Sequence, residues 1–135
     1  MEDLKLTDSA VVELIKYGTM TKEVKLSDKV SVYIKNLTQD DKEKYSKLVK
    51  IEKPSEKETV EDSLFSLVEA SKVPLLTYAI VKINNADFST EESKKTLMDT
   101  LKKFPSVFID KLYAEYIDNE NSLINLFNSE DVKKN

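Results

Sequence analysis

Two short stretches of this chain alternate polar and apolar residues without a break: Lys-Glu-Val-Lys-Leu at 22–26 and Lys-Val-Ser-Val-Tyr-Ile-Lys at 29–35, with Ser27-Asp28 between them. Successive side chains of a strand point to opposite faces, so this alternation, rich in β-branched residues, predicts an antiparallel β-hairpin. Val24, Leu26, Val30, Val32 and Ile34 then share one face. Two strands alone are marginal in water, and that face is too large to stay wet. The hairpin must lie on helices, pair with another chain, or do both. Lysines at 22, 25, 29 and 35 discourage indiscriminate pairing along its edges.

Elsewhere the apolar period is helical. Val11, Val12, Leu14 and Ile15 make a rough helical face, with Thr7 or Asp8 as N-cap and Gly18 placed to close the helix in the left-handed conformation. Thr38 opens a second helix with Asp40 and Asp41 in its first turn, halted before Pro54. Ser55 with Glu58 and Ser89 with Glu92 read as capping boxes, ahead of Val60, Leu64, Leu67, Val68 and of Leu97, Met98, Leu101. Residues 75–83 are almost wholly apolar. Their length suits a strand or a buried helix, and Pro74 at a first helical position favours helix. Asn84 to Asp87 reads as a turn, and Asn119 to Asn121 as a break in the last helix.

Helices are therefore expected near residues 8–17, 39–51, 56–72, 75–83, 90–103 and 106–118. The expected class is mainly α within α+β: a small antiparallel hairpin near the N-terminus followed by a helical bundle domain. Residues 1–52 would hold the first helix, the hairpin and a linking helix; 53–128 a helical domain; 129–135 a frayed tail. At 135 residues these form one compact unit. Its core is expected from Leu64, Leu67, Val68, Leu76, Ile80, Ile83, Leu97, Leu101, Phe108 and Leu112.

The chemistry on offer is narrow. The chain has no histidine, cysteine or tryptophan, one glycine, and lysine as its only cationic side chain. Histidine and cysteine supply most acid–base chemistry near neutral pH and most transition-metal ligation. A single glycine builds no phosphate-cradling loop, and without arginine there is no bidentate fork. Adjacent acids at Asp40-Asp41, Glu61-Asp62 and Glu91-Glu92 fall in early helical turns, where they complement the macrodipole rather than face one cleft. An enzyme is disfavoured, and no metal or cofactor is expected. A net charge of −4, with lysines interleaved among acids, disfavours nucleic acid. No run approaches a membrane span, and residues 1–6 are unlike a signal peptide.

What remains suits a protein that binds. Phe104, Phe108, Tyr113 and Tyr116 crowd one segment, as core packing or as the seam for a partner helix. Together with the hairpin face (Val24, Leu26, Val30, Val32, Ile34) they are the candidate partner-binding residues.

The order of segments carries a resemblance. Leu14-Ile15-Lys16-Tyr17-Gly18 leads into Glu23-Val24-Lys25-Leu26, then Val30-Ser31-Val32-Tyr33-Ile34-Lys35-Asn36-Leu37-Thr38 and an acidic helix start. Ala79-Ile80-Val81-Lys82-Ile83-Asn84, Leu101-Lys102-Lys103-Phe104-Pro105 and Ile109-Asp110-Lys111-Leu112-Tyr113 follow. Over roughly residues 14–117 the chain resembles the tail-assembly and baseplate-hub-assembly chaperones of tailed bacteriophages. The resemblance implies no catalytic residue and no cofactor. It implies a chaperone or structural subunit of the tail or baseplate, acting by protein–protein binding. Partners would be a tail, tape-measure or baseplate hub protein, or another copy of the chain. The location would be the host cytoplasm during assembly, or the virion for a retained subunit. A small cytosolic adaptor or regulatory domain that binds a host protein is the other reading.

Overall fold

The structure, a computed structural model, describes residues 9–18, 20–49 and 59–134. Helix α1 (Ser9–Gly18) precedes strands β1 (Thr21–Ser27) and β2 (Val30–Lys35) and helix α2 (Gln39–Ser46). Helix α3 (Val60–Ala79) runs directly into strand β3 (Ile80–Ile83), which turns into β4 (Ala86–Asp87). Helices α4 (Glu91–Leu101) and α5 (Ser106–Lys134) complete the chain. The fold is mainly α within α+β, with the hairpin first and the helices after it.

The hairpin forms as its alternation demands, with Val24 opposite Val32 and Lys22 opposite Ile34. It does not stand alone. The sheet has four antiparallel strands in the order β1-β2-β3-β4, with Ile34 opposite Ile80 and Val32 opposite Ile83. A third strand supplies the pairing that a two-stranded ribbon lacks. It also joins residues on both sides of position 52 in one sheet. Across the outer face, Glu23, Tyr33 and Lys82 fall in register: the Tyr33 hydroxyl donates to Glu23 at 2.8 Å, and Lys82 Nζ lies 4.5 Å from the Tyr33 ring centre.

Residues 75–83 are not a helix of their own, and this corrects the expectation. Leu75 to Ala79 end α3, and Ile80 turns extended (φ −79°, ψ 122°) to open β3. Two forces set the switch. Ile80, Val81 and Ile83 are β-branched and suit a pleated surface. The open edge of β2 lies beside them and needs backbone partners. Pro74 does not start a helix either; it lies inside α3 and merges the helices expected at 56–72 and 75–83. Having no N–H, it cannot bond the carbonyl four residues back. The helix continues because all six residues from Pro74 to Ala79 are buried.

Other boundaries shift by small amounts. Thr90 and Ser93, one residue beyond the expected pair, make the capping box of α4, since Ser89 N–H is already held by Asp87 Oδ1 at 2.8 Å. Thr59 with Asp62 caps α3, and Thr38 with Asp41 caps α2. The Ser55–Glu58 box, Thr7 and Asp8 lie outside the described residues. Gly18 ends α1 without a positive φ. Helix α5 passes through Asn119 to Asn121 unbroken.

One core holds these elements together. Val24, Val32 and Ile34 of the sheet meet Leu75, Leu76, Ala79 and Ile80 at the α3–β3 junction, Leu97 and Leu101 of α4, and Ile109, Leu112 and Tyr116 of α5. Of the expected core, Leu76, Ile80, Leu97, Leu101 and Leu112 are fully buried, and Ile83 packs partly buried against them. Phe108 is half-buried. Leu64, Leu67 and Val68 are exposed, because the sheet and the later helices cover only the second half of α3.

Candidate functional site

The hairpin face is already occupied. Val24, Val32 and Ile34 are core residues, and Leu26 and Val30 pack against that core from its margin. A partner reaches them only if the helices leave. Two of the four hairpin lysines are engaged as well. Lys22 Nζ lies 2.8 Å from Glu115 and 3.3 Å from Asp118 on α5, and Lys35 Nζ lies 2.6 Å from Asp41. Among the aromatics, Tyr116 is buried, while Phe104 and Tyr113 pack partly buried on the core. Tyr113 also lies beneath Lys72, 5.5 Å from Nζ to ring centre. Of the nine candidate residues, then, none stands fully exposed.

The uncovered apolar surface lies elsewhere. On α3, Val60, Leu64, Phe65, Leu67 and Val68 are exposed, with Leu64 at 58% and Phe65 at 68%. Residues 60, 64, 67 and 68 recur at i, i+4, i+7 and i+8, so they form one stripe along the helix. Val12, Leu14 and Ile15 of α1 and Ile117 and Ile124 of α5 are exposed too. Large exposed apolar rows rimmed by charge mark interaction surfaces more often than accidents of composition. The helical period announced the α3 stripe, but it assigned the stripe to the core. Periodicity shows that a face exists and leaves open what covers it.

A polar cluster around one buried charge, Lys94, joins α2, α3 and α4. Lys94 is only 8% exposed, and its Nζ donates to the Ile80 carbonyl at 2.7 Å, the last turn's exit from α3. The Tyr78 ring centre lies 5.9 Å away, and the Tyr78 hydroxyl donates to Glu91 at 3.3 Å. Glu91 also pairs with Lys44, which reaches Asp40. Burial, and then repulsion from Lys35, lowers the Lys94 ammonium to about 8. Burial raises the Asp41 carboxyl, but the Lys35 hydrogen bond and the Thr38 N–H outweigh it, and the net shift is downward. Lys94 shares a helical face with Leu97 and Leu101 (i, i+3, i+7), the one sequence signal of its burial. The cluster ties three elements together. It places no nucleophile and base in a cleft of the kind that acyl or phosphoryl transfer needs.

Among the described residues no group of acidic side chains could hold a metal ion, and no helix is long and apolar enough to cross a membrane. One further feature escaped sequence reasoning. Asn36 continues the inward series Val32, Ile34 and is 7% exposed, and its Oδ1 has no hydrogen-bond partner among the described residues. It lines a crevice of about 180 Å³ between the end of β2 and α5. Tyr116 stands there with its hydroxyl 3.4 Å from the Leu37 N–H. Burial and the neighbouring Glu120 carboxylate push the Tyr116 hydroxyl's pKa up. No protein family, curated protein or solved structure matches the chain.

Proposed function

We propose that this chain is a non-enzymatic assembly protein of a tailed bacteriophage, a chaperone or structural subunit of the tail or baseplate that works by binding other phage proteins. The order of segments from residue 14 to residue 117 supports the phage reading. The observation that carries the binding reading is the uncovered stripe of Val60, Leu64, Phe65, Leu67 and Val68 on α3. A partner helix laid along such a stripe would bury anchors at i, i+4 and i+7. The proposed contact moves from the hairpin to α3, since the hairpin face is spent on the core. The proposed location is the host cytoplasm during assembly, or the virion if the subunit is retained.

Mass spectrometry of purified virions and of tail-assembly intermediates tests the reading. Recovery of the chain with a tape-measure or hub protein is the expected result. Capture of a host enzyme, with no phage structural protein present, would replace this reading with that of a host-directed adaptor.

A further inference from the structure

We propose that the outer edge of β1 docks β1 of a second copy, antiparallel across a two-fold axis, and so joins two four-stranded sheets into one. The inference goes beyond the phage-binding reading and does not use α3. Backbone parity fixes which groups face outward. Ser31 donates its N–H to Asn84 Oδ1 and accepts from the Asn84 N–H, both at 2.8 Å, so its backbone groups point away from β1. Bonding sides alternate along a strand, so Val32 and Ile34 bond toward β1, where they meet Val24 and Lys22. That leaves the N–H and C=O groups of Thr21, Glu23 and Lys25 on the outer edge, and all three residues are exposed. Among the described residues no further strand lies on that side, and no backbone bond outside the sheet ladder reaches these groups. The opposite end of the sheet is blunted. There β4 is two residues long, Phe88 N–H bonds the Val81 carbonyl at 2.8 Å, and Lys94 bonds that of Ile80.

The side chains of this edge select its guest. Lysines on a sheet edge repel most strands. Here Glu23 and Lys25 stand two residues apart on one face, so the edge complements an antiparallel copy of itself. In that register Glu23 lies directly opposite Lys25 of the partner subunit, and the symmetry repeats the pair. Each pair exchanges both of its N–H···O=C bonds, and opposite charges directly across a ladder are favourable. Both groups have capacity for this contact. Tyr33 bonds Glu23 Oε2 and leaves the other carboxylate oxygen, and among the described residues Lys25 has no acid within ion-pair reach. The neighbouring register sets Glu23 against Glu23 of the partner subunit and is disfavoured. Beyond Lys25 a bulge turns Ser27 back toward Val30, so the seam ends there. A seam this short makes a weak dimer, formed at high concentration.

The test uses the full chain alone. Amide–water exchange rates are read by ¹⁵N NMR from about 20 μM to about 1 mM, the range in which a small interface associates. The Glu23 and Lys25 amides should exchange at least about threefold more slowly at the upper concentration, while those of Lys22 and Val24, bonded to β2 throughout, stay unchanged. Sedimentation should show monomer passing to dimer over the same range. Glu23→Lys and Lys25→Glu, both at exposed positions, should each remove the effect by setting like charges across the seam. The double variant Glu23→Lys, Lys25→Glu should restore it. The wild-type exchange rates decide alone if circular dichroism shows a variant unfolded. A chain that stays monomeric throughout, as when the edge serves a strand of a foreign protein, would overturn the proposal. So would a dimer that leaves the Glu23 and Lys25 amides unchanged, the result expected of pairing through α3, or a folded double variant that stays monomeric. Loss of the β1 dimer leaves the reading of α3 as a phage-protein surface standing.

Discussion

Up to Glu69, α3 turns Val60, Leu64, Phe65, Leu67 and Val68 to solvent; from Pro74 onward the same helix is buried at every residue to Ala79. Both halves are apolar, and both obey helical spacing. They differ in what lies beside them. The second half runs into β3, and pairing of β3 with β2 draws it under the sheet, against α4 and α5. Among the described residues the first half has no such tether. Burial in this protein follows the topology that a strand imposes on the helix before it, more than the hydrophobicity of the helix itself. An apolar stripe left over by that topology is available for another protein.

The comparison breaks most violently at the sheet. Val32 is fully buried between β1 and β3, and an aspartate there would be an unpaired charge in the core. Val32→Asp should abolish the cooperative unfolding transition seen by circular dichroism; a folded variant would mean that the hairpin is peripheral. Next comes Leu76→Ala, which should lower unfolding free energy in urea by about 2–5 kcal/mol, against no more than about 0.5 kcal/mol for Leu64→Ala in the other half of α3. Equal costs would erase the distinction between the halves.

Lys94 sharpens the picture of the junction through pH. Its folded pKa, about 8, lies below the unfolded value of 10.5, so the unfolded chain binds more protons between those limits. Stability should therefore rise as pH climbs from about 8, by up to about 2 kcal/mol at pH 9.5. Urea melts of wild type and Lys94→Met compare directly: the rise should vanish in the variant. A smaller effect is expected at Asn84, which sits at φ 51° in the β3–β4 turn, accepts from Ser31 N–H at 2.8 Å and donates to the Lys29 carbonyl at 3.0 Å. Asn84→Ala should cost about 1–2 kcal/mol, and Asn84→Gly less, since glycine loses the same bonds without the backbone strain.

How far the sequence revealed this fold depends on where the determining contact lies. The hairpin at 22–35 was legible because alternation is a local signal and its face had to be covered. The helices were legible in kind, and their caps to within a residue or so for α4. The switch from helix to strand at Ile80 was not, because it depends on the edge of β2 more than forty positions earlier. Nor was the candidate surface. Leu64, Leu67 and Val68 carry the same spacing as Leu97 and Leu101, and only the packed structure separates an uncovered face from a buried one. Asn36 could have been found by extending the alternation two residues past Ile34, into a position where an amide is out of place.

The central claim is that the first half of α3 is a binding surface and contributes little to the fold. The double variant Leu64→Glu, Val68→Glu tests it most directly, by co-purification with a tape-measure or hub protein, the partner class proposed above, alongside a urea melt. Both positions are exposed, so the urea midpoint should stay at the wild-type value while the partner is lost from the complex. Retained partner in a folded variant, or collapse of the urea midpoint, would contradict it.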